Sequence, residues 1–140
     1  MNLDLIVVAD MANVDAAGKF NIVGEFNLVY APELPTPPLH VSLAMRLVAA
    51  ASEGATHRVE IAVVDQDGKQ LARTPPMEAT FGDSVPGTTG DRRAQLVMAI
   101  GGARFRAFGS YSFQVVVDGR FIGGRTIYVV PHPPPTTEPV

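Results

Sequence analysis

The sequence predicts an all-β fold, an antiparallel β-sandwich of about eight strands. Three observations predict it. Short runs of alternating apolar and polar residues recur along the 140 residues, the period of a strand with one buried face. Clusters of Gly, Pro, Asn and Asp separate those runs, as turns in an all-β chain do. No window holds the i, i+3, i+4 apolar pattern with caps that an amphipathic helix requires. The clearest segment is Gly109–Pro131. There Tyr111, Phe113, Val115 and Val117 alternate with Ser112, Gln114, Val116 and Asp118, and Asp118-Gly119 supplies the positive-φ pair of a tight hairpin turn. A second β-rich run, Arg125–Val130, closes the hairpin.

Taken in order, the first run is Leu3–Ala12. It is apolar on both faces around Ile6-Val7-Val8, which places it inside a sheet. The turn at 13–18 leads to Lys19–Tyr30, with Phe20, Ile22, Phe26, Leu28 and Tyr30 expected on one face and a bulge at Gly24. Pro32, Pro35, Pro37 and Pro38 make a stiff segment that cannot join a ladder easily, so it reads as a crossover between sheets. Leu39–Ala49 points Val41, Leu43, Met45 and Leu47 inward. Thr56–Asp65 points Val59, Ile61 and Val63 inward. Asp65-Gln66-Asp67-Gly68 turns the chain, Lys69–Arg73 pairs back, Pro75-Pro76 breaks it, and Met77–Phe81 is a short strand. Gly82–Gly90 reads as a flexible loop before Arg92–Ile100, whose inward face is Ala94, Leu96, Met98 and Ile100. Residues 1–131 are therefore expected to form one β-sandwich domain, and 132–140 a proline-rich flexible tail with nothing to bury.

Composition narrows the function classes. A chain of this length buries roughly two thirds of its unfolded surface, so it needs no staples. It has no cysteine, which removes disulfides, thiolate metal sites and a cysteine nucleophile. The net charge is −3. Arg92, Arg93, Arg104 and Arg106 enrich the second half in positive charge, but too thinly for a nucleic-acid footprint. No signal peptide or membrane span is visible, so cytoplasmic residence is the expectation, with virion association as the alternative.

Candidate chemical constellations are few. Asp65-Gln66-Asp67-Gly68 begins like a calcium loop but lacks the later acids such a loop needs, and a hairpin turn accounts for it. Asp10, Asn13 and Asp15 cluster at the first turn, where local backbone capping is the simpler role for Asn13 and Asp15; Asp10, if buried, needs partners. His40, His57 and His132 lie at no metal-ligand spacing, and His57 begins a strand on the inward parity, where it would cap or pack. There is no Gly-x-Ser-x-Gly elbow, and neither Gly101-Gly102 nor Gly123-Gly124 leads into a phosphate-binding helix. No catalytic, cofactor-binding or metal-ligating set is predicted, and no cofactor. Asp10, Asp15, His57 and the Arg92/Arg93 and Arg104/Arg106 groups are the residues an enzyme or ligand binder would have to use.

Three segments together, ADMANVDAAGKFNIVGEF, HRVEIAVVDQDGKQL and GSYSFQVVVDGRFIG, resemble a family of small bacterial proteins known only as a domain of unknown function. The resemblance spans most of residues 5–130. It implies a sandwich of immunoglobulin-like type, with a jelly-roll route fitting the same runs, and it carries no catalytic residues. In immunoglobulin-like sandwiches a corner tyrosine buries its ring and returns its hydroxyl to nearby backbone, a role expected here of Tyr111. The reading that follows is a non-enzymatic sandwich acting through protein contacts as a homo-oligomer, with an accessory of a phage-like particle as the alternative. Its basis is apolar residues on the outward parity, such as Ala44, Val48, Ala62, Val64, Val97, Ala99, Val116, Tyr128 and Val130, which would form a large exposed patch if they face solvent.

Overall fold

The computed structural model describes residues 1–83, 86, 87 and 90–132. Ten strands run in chain order: β1 Asn2–Val14, β2 Phe20–Glu25, β3 Leu28–Ala31, β4 Leu39–Ala49, β5 Thr56–Asp65, β6 Gln70–Arg73, β7 Met77–Thr80, β8 Arg92–Ala103, β9 Gly109–Val117 and β10 Arg120–Pro131. One 3₁₀ turn, Ala51–Glu53, precedes β5. The strands form a four-stranded sheet in the order β2-β1-β4-β8 and a six-stranded sheet in the order β3-β10-β9-β5-β6, with β7 also paired to β5. This is an all-β sandwich. The resulting core includes Val8, Leu43, Met45 and Leu47 from the first sheet, and Val59, Ile61, Phe113, Val115 and Ile127 from the second.

The strand count exceeds the expected eight chiefly because the run Lys19–Tyr30 divides. Gly24 takes φ +70°, and the chain leaves the first sheet after Phe26, whose N–H still donates to Val8 O at 3.0 Å. It then joins the second sheet as β3, parallel to β10, with Leu28 opposite Tyr128 and Tyr30 opposite Val130. Changing sheets resets the side-chain parity. Phe20, Ile22 and Phe26 are partly buried as predicted, whereas Leu28 and Tyr30 are 42% and 53% exposed. Val29 and Ala31 turn inward instead.

The proline-rich segment crosses from the second sheet back to the first, as its composition predicts. Its Leu34–Pro35 bond is cis. Thr36, buried in the middle, makes a reciprocal pair of bonds: its N–H donates to Phe105 O at 2.9 Å, and Phe105 N–H donates to Thr36 Oγ1 at 3.0 Å. The crossover is thereby tied to the β8–β9 loop.

The β1–β2 hairpin departs from a flat sheet. Beyond Ala9 it no longer pairs with β4, and its tip returns over the outer face of the first sheet. The Gln95 side-chain amide donates to Gly18 O, and the Arg46 guanidinium lies 5.5 Å from the centre of the Phe20 ring. Ala9 and Ala44, both on the outward parity of that sheet, are fully buried. This overturns part of the expected outer patch. Ala44, Ala62 and Val116 are buried, and Val48, Val64, Val97 and Val130 are only partly accessible, which leaves Ala99 and Tyr128 exposed.

The closing hairpin follows the sequence closely. Tyr111, Phe113, Val115 and Val117 are all buried. Asp118 and Gly119 take φ of 51° and 81°, the double left-handed pair of a type I′ turn. Tyr111 packs its ring 4.3 Å from that of Phe105 and donates its hydroxyl to Ala107 O at 2.6 Å, the arrangement of a tyrosine corner. The flexible loop expected at 82–90 falls partly, and the tail at 133–140 wholly, outside the described residues. His132 remains attached, its N–H donating to Ala31 O at 3.0 Å.

Candidate functional site

His57, at the start of β5, is buried against the edge of the core. Its inward parity drives the ring against Phe81, with ring centres 5.0 Å apart at an edge-to-face angle. Imidazole is polar at two points, and burial obliges both to find partners. Nδ1 meets Asp118 Oδ2 at 2.6 Å, and Nε2 meets Gly54 O at 3.1 Å. Both partners are acceptors, so the doubly protonated imidazolium satisfies the site completely. The hydrogen bond donated to Asp118 and then that donated to Gly54 O raise the His57 pKa above 6.5, against an opposing effect of burial. Asp118 completes the clasp by accepting Arg58 N–H on Oδ1 at 2.9 Å; that bond, followed by the one from His57, lowers its carboxyl pKa.

The clasp joins the β9–β10 turn to the β4–β5 connection across 61 residues of sequence. Beside it lies a hollow of about 640 Å³ lined by Met1, Glu53, Arg120, Phe121 and Ile122. Glu53 there accepts from the Met1 ammonium at 2.8 Å and from Ala50 N–H at 2.9 Å. Neither ring nitrogen of His57 faces this hollow with spare hydrogen-bonding capacity. Its geometry is that of a structural fastening, consistent with the capping or packing expected from parity. Asp118 is the residue that sequence reasoning assigned only to the turn. Nothing in the spacing of the two residues signals their meeting.

The other candidates disperse. Asp15 caps its own turn, Oδ1 accepting from Ala17 N–H at 2.9 Å and Lys19 N–H at 3.0 Å; the Lys19 bond leads in lowering its pKa. Asn21 donates to Asn13 at 2.9 Å. Asp10 is exposed, so the partners a buried carboxylate would need are not required; its carboxylate lies against Gly24, where a Cβ would collide with it. Asp65 repeats the Asp15 pattern, accepting from Asp67 N–H and Lys69 N–H at 2.9 and 2.8 Å. His40 rests against Gly101, and His132 stands edge-on to Tyr30. No group of three or more metal-ligating side chains occurs among the described residues. No helix among them is long and apolar enough to cross a membrane.

The two arginine pairs lie apart and differ in kind. Arg92 reaches Asp83 at 3.6 Å, and Arg93 reaches Asp4 at 3.5 Å, a carboxylate that Arg46 shares at 3.4 Å. Arg104 and Arg106 have no carboxylate within 4 Å among the described residues. They stand on either side of buried Phe105, above a groove of about 620 Å³ between β6 and the end of β8.

Fold and fastenings together define an all-β sandwich with a clasp between buried His57 and exposed Asp118 at one end and a basic groove at the other. The chain belongs to the DUF6941 family, a family of unknown function, matched over residues 4–130. No curated protein matches its sequence. Among solved structures it is similar to the Pseudomonas fluorescens alkylpurine DNA glycosylase AlkC bound to DNA containing an abasic site analog, at 16% identity and a TM-score of 0.39. That alignment covers 74% of this chain and 27% of the glycosylase, a likeness too slight to carry an argument about activity.

Proposed function

We propose that this protein is a non-enzymatic β-sandwich that works through protein contacts, and that it pairs with a second copy of itself along the open edge of β3. The state of that edge carries the reading. A sheet edge is a row of unpaired backbone groups, and proteins commonly guard such rows with charge, proline or bulges. The other edges here are guarded. β8 carries Arg92 and Arg93, β6 and β7 carry Arg73 and Glu78 with Pro75-Pro76 between them, and β2 carries Glu25 and the irregular Gly24. β3 reads Leu-Val-Tyr-Ala, with no charge and no proline.

Its parallel ladder with β10 uses the inward backbone groups of Val29. Alternation then turns the N–H and C=O of Leu28 and Tyr30 to the open side. Next to them Leu28, Tyr30 and Tyr128 expose their side chains at 42, 53 and 45%. A twofold axis beside β3 would align two such edges antiparallel, bonding the same residues on both copies, and the twofold dimer is the commonest oligomer. The His57–Asp118 clasp, with both ring nitrogens engaged, serves stability in this reading.

Light scattering across micromolar to submillimolar concentrations tests it. The expected mass is twice that of the chain, and Tyr30→Lys, which places a charge on the exposed edge, yields the single-chain mass. A wild-type monomer throughout the range rules the proposal out.

A further inference from the structure

We infer that the groove between β6 and the end of β8 binds a small amphipathic carboxylate, an aromatic or acyl acid whose anionic group is held by Arg104 and Arg106. Three independent features converge there. The first is charge. Lys69, Arg104 and Arg106 line the groove against one acid, Asp65, in a protein whose net charge is −3. Asp65 spends an oxygen on its own turn, accepting from Asp67 and Lys69 N–H. Arg46, Arg73, Arg92, Arg93 and Arg125 each stand within 4 Å of a carboxylate; among the described residues Arg104 and Arg106, like Arg58 and Arg120, do not. Two arginines on either side of one buried residue gain from an anion between their guanidinium groups, which a planar carboxylate satisfies with two oxygens.

The second feature is the floor. Phe105 and Tyr111 pack ring against tilted ring at its base, Val63 and Ala72 lie beside them, and Leu71 stands 42% exposed at the rim. An apolar floor with a cationic rim matches a ligand with an apolar body and an anionic head. Its volume of about 620 Å³ suits a small molecule.

The third is preorganisation. Phe105 is 1% exposed and held through the reciprocal Thr36 bonds, while the Tyr111 hydroxyl ties down Ala107. The backbone that carries both arginines is therefore fixed before any ligand arrives, which lowers the ordering cost of binding. Gly102 leaves open space at the β8 end of the groove, with no atom within 4 Å of where a Cβ would stand, whereas at Gly101 that place is taken by His40. β3 and β6 sit at opposite edges of the six-stranded sheet, so this site and the proposed dimer edge are independent.

The test is titration calorimetry with 1-naphthoate, alongside its neutral counterpart 1-naphthalenemethanol and inorganic phosphate. Saturable naphthoate binding is expected, weakened by about tenfold or more in Arg104→Gln/Arg106→Gln, since a charge-assisted bond carries about that much. Both comparison compounds should bind at least about tenfold more weakly, in keeping with the need for head and body together. Leu71→Glu, which brings a negative charge to the rim, should weaken naphthoate as well. These side chains are exposed, so unchanged circular dichroism and thermal midpoints should accompany the losses. No saturable naphthoate binding at millimolar concentration, or equal affinity in the double variant, overturns the inference. So does phosphate or the neutral alcohol binding as tightly as naphthoate.

Discussion

At the scale of single residues, two side chains carry definite consequences. Tyr111 spends its hydroxyl on Ala107 O inside the corner. Tyr111→Phe removes that bond and should cost about 1 kcal/mol in a urea unfolding titration. Tyr111→Ala also opens a cavity beside Phe105 and should cost roughly 3–5 kcal/mol. Equal losses for the two variants would show that the hydroxyl, rather than the ring, dominates.

His57 has the other consequence. Its folded pKa lies above the unfolded value of 6.5, so its contribution is full below that pH and disappears as pH rises through the folded value. Asp118 acts in the opposite sense: its folded pKa lies below 3.8, so its contribution holds above that pH and disappears as pH falls through the folded value. The clasp is therefore strongest between about pH 4 and 6.5. Urea midpoints should decline in the wild type as pH rises above about 6.5. Asp118→Asn, which keeps a residue tolerant of positive φ and the bond from Arg58, should flatten that decline. The same decline above pH 6.5 in both proteins would refute the clasp.

Elements show how far a sequence speaks and where it stops. The inward faces of β4, β5, β8 and β9 were legible because strand alternation and core burial are the same physical fact. The Asp118-Gly119 turn was legible because few residue pairs tolerate two positive φ angles. The parity of Leu28 and Tyr30 was not, because one strand left its sheet mid-run, and local pattern does not record which sheet a segment will join. The cover over Ala44 was hidden for a similar reason: a hairpin that folds back over a sheet face changes burial without changing periodicity. The His57–Asp118 contact and the Arg104/Arg106 groove depend on tertiary approach, so sequence supplied the residues and left their company unstated.

The crossover offers an element-scale prediction. Thr36→Val keeps shape in a buried position but leaves Phe105 N–H without its acceptor. It should cost about 1–3 kcal/mol in the same unfolding measurement, and the exchange of Phe105 N–H with deuterium should speed up. A change within error of zero would mean that water takes the place of Oγ1.

At the scale of the whole molecule, the two sheets share one core. β1 contributes Leu3 against Gly123 of β10, and Arg125 of β10 reaches Glu25 of β2 at 3.3 Å. Among the described residues neither sheet has another apolar layer to bury against, so the sandwich should unfold as a unit. Tyrosine fluorescence and far-ultraviolet circular dichroism should report coincident urea transitions, and separated midpoints would mean that one sheet survives the other.

The parallel seating of β3 on β10 has a consequence for how the chain is made. Leu28 and its partner Tyr128 are one hundred residues apart, and a ribosome adds roughly 5–20 residues per second. For several seconds the Leu-Val-Tyr-Ala segment exists with no strand to lie against. The edge that would recruit a second copy is thus assembled only once β10 has been made, and a nascent chain halted before Tyr128 lacks the template for it. Under the proposed pairing, self-recognition waits until β10 has been made.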